Sequence, residues 1–188
     1  GKTTLLLQLM HLLEELYACV FVDLSVLRGQ DARSCFRFFA FRLMSELRSL
    51  LGDEFPLPET GPVESSVEFL EFLYNVAKAT PMPRIILLID EVGALSPQVS
   101  DPFFNTIRTV FTQGRGLTNY LSKYLFVFSG AVDLYGLTFG TNSPLNICEK
   151  IYLQDFEPQD VEQIVNRFES LSIPVAQGAS EAVYALTA

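Results

Sequence analysis

The chain has 188 residues, 49% of them hydrophobic, and a mean hydropathy of +0.27, which suits one well-buried domain with a small appendage and excludes disorder. Against 22 acidic residues stand only 13 basic ones, a formal charge of −9, which argues against sequence-independent nucleic-acid binding through a basic stripe. The longest apolar runs, IILLI at 85–89 and YLFVF at 124–128, fall far short of the ~20 residues that cross a bilayer.

In chain order, TTLLLQLMHLLEEL at 3–16 has close helical spacing of apolar residues and no Gly or Pro, so it predicts a well-buried helix. ACVFVDLS at 18–25 predicts a strand ending in polar residues. Residues 31–51 predict a Phe-rich helix capped by Asp31. GDEFPLPETGP at 52–62 is a loop punctuated by Pro and Gly. A third helix is expected over 63–79, with Phe69, Leu70, Leu73 and Val76 on one side.

PMPRIILLIDEVGALS then reads as a strand with acidic residues at its exit, followed by a helix at 102–113 and the loop QGRGLTN. KYLFVFSGA at 123–131 predicts another strand, and KIYLQDF at 150–156 a last short one after an irregular stretch. Pro158 is placed to open the helix QDVEQIVNRFESL. Alternating strands and helices point to an α/β fold with a mainly parallel sheet. Cys19, Cys35 and Cys148 are odd in number and lack metal spacing, so they read as reduced, mostly packed thiols of a cytoplasmic protein. His11 has no ligand set at suitable spacing and is expected to pack rather than to catalyse. A start at Gly1 without Met reads as a fragment.

Two separated motifs carry the chemistry. Gly1-Lys2-Thr3 matches the second half of the phosphate loop GxxxxGK[ST] (Walker A). There the backbone N–H groups and the helix N-terminus meet phosphate, the Lys reaches the β- and γ-phosphates, and the hydroxyl meets Mg²⁺. Alone, GKT is a weak signal that favours an ordinary helix start. The strand RIILLIDE changes the balance by delivering Asp90-Glu91 to its carboxyl end (Walker B), where open α/β folds bind ligands. Asp90 is suited to hold Mg²⁺ and Glu91 to act as general base on a water. The alternative for Asp90-Glu91 is a solvated turn after a buried strand. Ser129 closes the strand YLFVFSG, expected beside the Asp-Glu strand. It could contact the γ-phosphate or orient water, or mark only the passage from strand to loop.

GKTTLL, VFVDLS, RIILLIDEVGAL, FFNTIRTVF, FVFSGAVDLYGL and SPLNICEKIYLQDFEPQDVEQI together resemble the AAA-like ATPase domains of large bacterial multidomain proteins. These are broadly related to the STAND signalling NTPases and to the Orc-like AAA+ branch. The resemblance covers essentially the whole chain. It implies a P-loop NTPase core of three αβα layers over 1–156, truncated at its first strand, and the start of a helical lid over 157–188. It also implies an ATP–Mg²⁺ site in which Gly1, Lys2, Thr3 and Thr4 bind phosphate, and Thr3 and Asp90 serve the metal. Glu91 would serve the water and Ser129 the sensor position. Arg108 and Arg115 fall where an arginine finger could reach a neighbouring subunit, although ordinary surface arginines on a helix and loop are the favoured reading. Pro158 falls where related switches set a proline against adenine. The family's central first strand and the first half of its phosphate loop are missing, so the 188 residues alone are expected to bind ATP poorly.

The leading reading is therefore an ATPase module, slowly hydrolysing, that acts as a nucleotide-dependent switch within a larger signalling or assembly protein. Its partners would be ATP and ADP, other domains of the parent chain, and copies of itself under nucleotide control; membrane and nucleic acid are not expected for this piece. Alternatives are a non-hydrolysing nucleotide-binding or scaffold module, and a DNA-associated AAA+ ATPase. No [NT]KxD segment occurs, which disfavours a GTPase.

Overall fold

The three apolar runs become the strands of one parallel sheet: β1 (Ala18–Asp23), β2 (Ile85–Asp90) and β3 (Tyr124–Phe128), in the order β1-β2-β3. They are seen in a computed structural model that describes residues 1–52, 56–58, 61–116, 119–130 and 144–187. Every residue of β2 is buried, as a central strand covered on both faces requires. The register pairs Val22 with Ile89 and Asp23 with Asp90 across β1 and β2, and Ile89 with Phe128 across β2 and β3. Neighbouring strands are therefore level at their carboxyl ends.

Side chains alternate between the two faces of a sheet, and two apolar clusters follow that alternation. Val20, Val22, Leu87, Ile89 and Phe126 face a large cluster shared with α2 (Ala32–Leu51), α3 (Ser66–Ala79) and α4 (Pro97–Gly114). Cys19, Ile86, Leu88 and Val127 face a smaller cluster completed by Leu6, Leu9 and Met10 of α1 (Lys2–Leu13). Helices on both faces of the sheet are compatible with the αβα layering that the resemblance implies. α1 lies over β1 and β2, while Leu125, on the same face of β3, is 52% exposed.

Local signals set the helix ends. The Asp31 carboxylate accepts the Ser34 N–H at 2.7 Å to open α2, and Gly52 at φ 85° closes it. Ser65 and Glu68 cap α3 reciprocally: Ser65 Oγ accepts the Glu68 N–H, and the Glu68 carboxylate accepts the Ser65 hydroxyl and the Glu64 N–H. Phe69 of α3 packs at 5.2–5.8 Å between ring centres on Phe36 and Phe39 of α2 and on Phe103 of α4. These rings lock the three helices of that face together.

Several boundaries differ from the sequence reading. α4 begins at Pro97 rather than near 102 and carries Pro102 inside it. Pro97 suits the first helical position, and burial of Val99 and Ser100 supports the extra turn. The strand expected over 123–131 ends at Phe128, with Ala131 outside the described residues. Parts of the expected loops at 52–62 and 113–119, the whole of 131–143, and Ala188 also lie outside them. KIYLQDF is not a strand: residues 149–157 have no regular structure, with Ile151 85% and Phe156 61% exposed. Apolar, β-prone letters do not make a strand without a neighbour to take their backbone hydrogen bonds. His11 does not pack. Its side chain is 84% exposed and meets Glu14 at 2.9 Å.

Residues Gly1–Cys148 form one compact unit and Glu149–Ala188 a second. Within the second, α5 (Pro158–Ser170) and α6 (Ala179–Thr187) pack on each other. Pro158 stands at the start of α5, where the Glu157 N–H donates to the Asp160 carboxylate at 2.9 Å. No helix among the described residues is long and apolar enough to cross a membrane.

Candidate functional site

The carboxyl ends of the three strands and the N-terminus of α1 meet at one place. Thr3, in the first turn of α1, donates its hydroxyl to Asp90 Oδ2 at 2.6 Å, across 87 residues of sequence. Leu6 draws α1 onto Cys19, Ile86 and Leu88, so the packing of that smaller cluster sets where its first turn lies. Gly1, Lys2, Thr3 and Thr4 thereby stand at the mouth of the sheet. α1 has no side-chain cap and no acidic residue in its first turn, so its first N–H groups remain open donors beside the positive end of the helix. A Cβ built at Gly1 would meet nothing within 4 Å, so protein packing does not demand glycine there.

Asp90 is 2% exposed. Burial alone would raise its carboxyl, but other forces outweigh it: the Thr3 hydroxyl, the Ser129 hydroxyl, the Glu91 N–H at 3.0 Å and the Lys2 charge. The net result is a carboxylate held below its ordinary range. Glu91 follows in the left-handed region, at φ 54° and ψ 41°, a conformation that disfavours a branched or bulky side chain and is costly for any residue with a Cβ. It turns the chain sharply out of β2 into a short 3₁₀ turn, Val92–Ala94.

Ser129 lies on the other side of Asp90. Its N–H continues the ladder to the Ile89 carbonyl at 2.8 Å, and its own carbonyl accepts the Val92 N–H at 3.1 Å. The residue is 7% exposed, and its Oγ has no partner within hydrogen-bonding distance, although it is near enough to Asp90 to favour the ionised form. A buried hydroxyl left without a partner is costly in a protein interior. Its situation suits a group that completes its bonding when something occupies the site.

Asp23 is the residue that the sequence reading passed over. It pairs in register with Asp90, and alternation puts both on the face that α1 covers. Asp23 Oδ1 accepts the Ser25 N–H at 2.8 Å, a tight turn that fixes the carboxylate where β1 ends. The signal was present: VFVD, LLID and FVFS are three apolar strands each ending in a polar residue. Asp23, Asp90 and Ser129 thus form a polar row across the ends of three adjacent strands.

Within the first unit, the arginine candidates stand apart from this row. α4, which carries Arg108 and leads into Arg115, packs on the opposite face of the sheet from α1. The Arg115 guanidinium lies over the Phe111 ring, 4.6 Å from its centre. Pro158 belongs to the second unit. Cys19 and Cys35 are buried and free.

The donor set fits a phosphate group with a divalent cation. Open helical N–H groups and Lys2 suit the anion, and one buried carboxylate with one hydroxyl suits a hard cation. Among the described residues no group of three His, Cys, Asp or Glu side chains could hold a metal by itself. Further ligands would have to be phosphate oxygens and waters, as magnesium commonly accepts. A family model described as AAA-like domain matches residues 1–186. No curated protein matches the chain.

Proposed function

The chain belongs to the AAA-like domain family, and from that membership we propose that it is an ATP-binding module that hydrolyses slowly and works as a nucleotide-dependent switch in a larger signalling or assembly protein. Membership of the family suggests a nucleotide-binding, ATPase-like module. The observation that carries the finer reading is the Thr3–Asp90 hydrogen bond. It joins the two halves of a phosphate-and-metal site that are far apart in sequence.

In this reading the α1 N–H groups at Gly1 to Thr4 receive the phosphates, and the Lys2 ammonium neutralises the β- and γ-oxygens. Thr3 Oγ1 and the Asp90 carboxylate would hold Mg²⁺, which would supply charge neutralisation for phosphate transfer. Glu91 accepts a proton from the attacking water, and the Ser129 hydroxyl donates to the γ-phosphate or to that water. Residues 157–188 are assigned as the start of the lid. Affinity with the STAND or Orc-like branch belongs to the same proposal.

The test is Mg·ATP binding and turnover by the full-length protein beside Lys2→Ala and Glu91→Gln. Binding and turnover by wild type, loss of binding in Lys2→Ala, and binding without turnover in Glu91→Gln support the switch. Equal behaviour of wild type and Glu91→Gln makes the module a non-hydrolysing binder. A folded wild type that binds nothing leaves a scaffold.

A further inference from the structure

Asp23 has a place in the site that its local structure does not explain. One carboxylate oxygen closes a turn with the Ser25 N–H, which an asparagine would do equally well. Its charge is a different matter. Asp23 and Asp90 are paired in register at the ends of adjacent parallel strands, about 4.8 Å apart in the sheet, on the same face and next to the N-terminus of α1. Two like charges so placed repel each other, and the Lys2 charge beside Asp90 offsets that only in part, so further positive charge between or in front of them is favourable.

The third member of the row marks where that charge would lie. Ser129 Oγ is buried without a partner and flanks Asp90 from the β3 side, as Asp23 flanks it from β1. Asp90 itself is already bonded to Thr3 and to the Glu91 N–H. The centre of the row is therefore the inner carboxylate, with an unfilled hydroxyl on one side and an exposed carboxylate on the other. A magnesium-sized cation keeps several of its waters and takes one or two carboxylates. An exposed carboxylate one strand away is at the right remove to accept hydrogen bonds from those waters.

We propose that Asp23 is a positioning residue for the divalent cation of a bound nucleoside diphosphate or triphosphate, holding the water shell of the cation from the β1 side. The inference rests on the nucleotide reading above and deepens it. Asp23 strengthens the hold on the cation through charge and contributes nothing to the grip on the phosphates, so its removal affects metal and nucleotide differently.

The experiment is a titration of Mn²⁺ into the full-length protein with saturating ADP, following free Mn²⁺ by electron paramagnetic resonance. Metal-free ADP binding is measured in parallel for wild type, Asp23→Asn and Asp23→Glu. Asn keeps the turn with Ser25, and circular dichroism checks the fold. The expected result is Mn²⁺ affinity weakened about three- to tenfold in Asp23→Asn, largely kept in Asp23→Glu, with metal-free ADP affinity unchanged or slightly raised. Unaltered Mn²⁺ affinity in Asp23→Asn overturns the proposal, and so does a parallel fall in metal-free ADP binding, which marks a structural role. If wild type binds ADP neither with nor without Mn²⁺, the nucleotide reading itself fails and this inference falls with it; that failure is distinguishable because it appears before any substitution is made.

Discussion

Thr3 Oγ1 and Asp90 Oδ2 are 2.6 Å apart, so the hydroxyl at the head of α1 is bonded directly to the carboxylate at the end of β2. The same two atoms are the ones that would hold the cation in the proposed reading. Thr3→Val should therefore lose metal-dependent nucleotide affinity by tenfold or more, while Thr3→Ser keeps most of it. Stability should fall in Thr3→Val by about 1.5–3 kcal/mol, the usual value of a hydrogen bond to a charged group. Chelation with EDTA should reproduce the affinity loss in wild type and change little in Thr3→Val. Calorimetric titration with ADP, with and without Mg²⁺, distinguishes these outcomes.

The aromatic core makes a prediction independent of function. Phe69 is fully buried and packs on rings from both α2 and α4. Phe69→Ala should cost about 3–5 kcal/mol, and Phe69→Leu clearly less because it leaves a smaller cavity. Urea unfolding followed by far-UV circular dichroism measures both. An alanine variant that unfolds at wild-type denaturant concentration would show that these three helices are not held by that ring.

Burial pushes the Cys35 thiol up to about 12 from its ordinary 9.0. A thiol raised in the folded state contributes fully below the unfolded value and progressively less above it. Stability should therefore be flat up to about pH 9 and then decline at up to about 1.4 kcal/mol per pH unit until pH 12. Cys35→Ala, though less stable at neutral pH, should show a shallower alkaline decline. Urea midpoints at pH 8 and pH 10.5 for both proteins test the sign and the slope.

Asp31 behaves in the opposite direction. The Ser34 backbone N–H, and the Ser34 side chain after it, hold its carboxyl below the ordinary 3.8. The contribution of the cap is present above that value and is lost as pH falls through the lowered one. Asp31→Asn keeps an acceptor for the Ser34 N–H and should reduce the acid sensitivity of α2, while Asp31→Ala should weaken the helix at every pH. Unfolding curves at pH 3 and pH 7 compare the three.

The sheet was legible because its strands carry enough information locally. IILLID is apolar on both faces and ends in a carboxylate, and a strand covered by helices on both sides has that composition for a physical reason. KIYLQDF has similar letters but failed, because a strand is defined by its neighbour and a window of sequence does not contain the neighbour. The start of α4 was misplaced for a related reason. Pro102 resembles a helix opener, yet tertiary burial of Val99, Phe103 and Phe104 carried the helix through it. Within the candidate site, Thr3, Asp90 and Ser129 were legible from strand and helix ends. Asp23 was missed because nothing in VFVDLS reveals which strand lies beside it, and only the register makes its carboxylate a neighbour of Asp90.

At Glu91 the left-handed backbone sets foldability against the role proposed for its side chain. The conformation is cheap for glycine and costs roughly 1 kcal/mol or more for glutamate. Glu91→Gly should accordingly melt higher than wild type while losing the group assigned to the water. A laboratory selection for heat resistance alone would be drawn to that substitution. On the proposed reading, it would deliver a sturdier protein that has lost its general base.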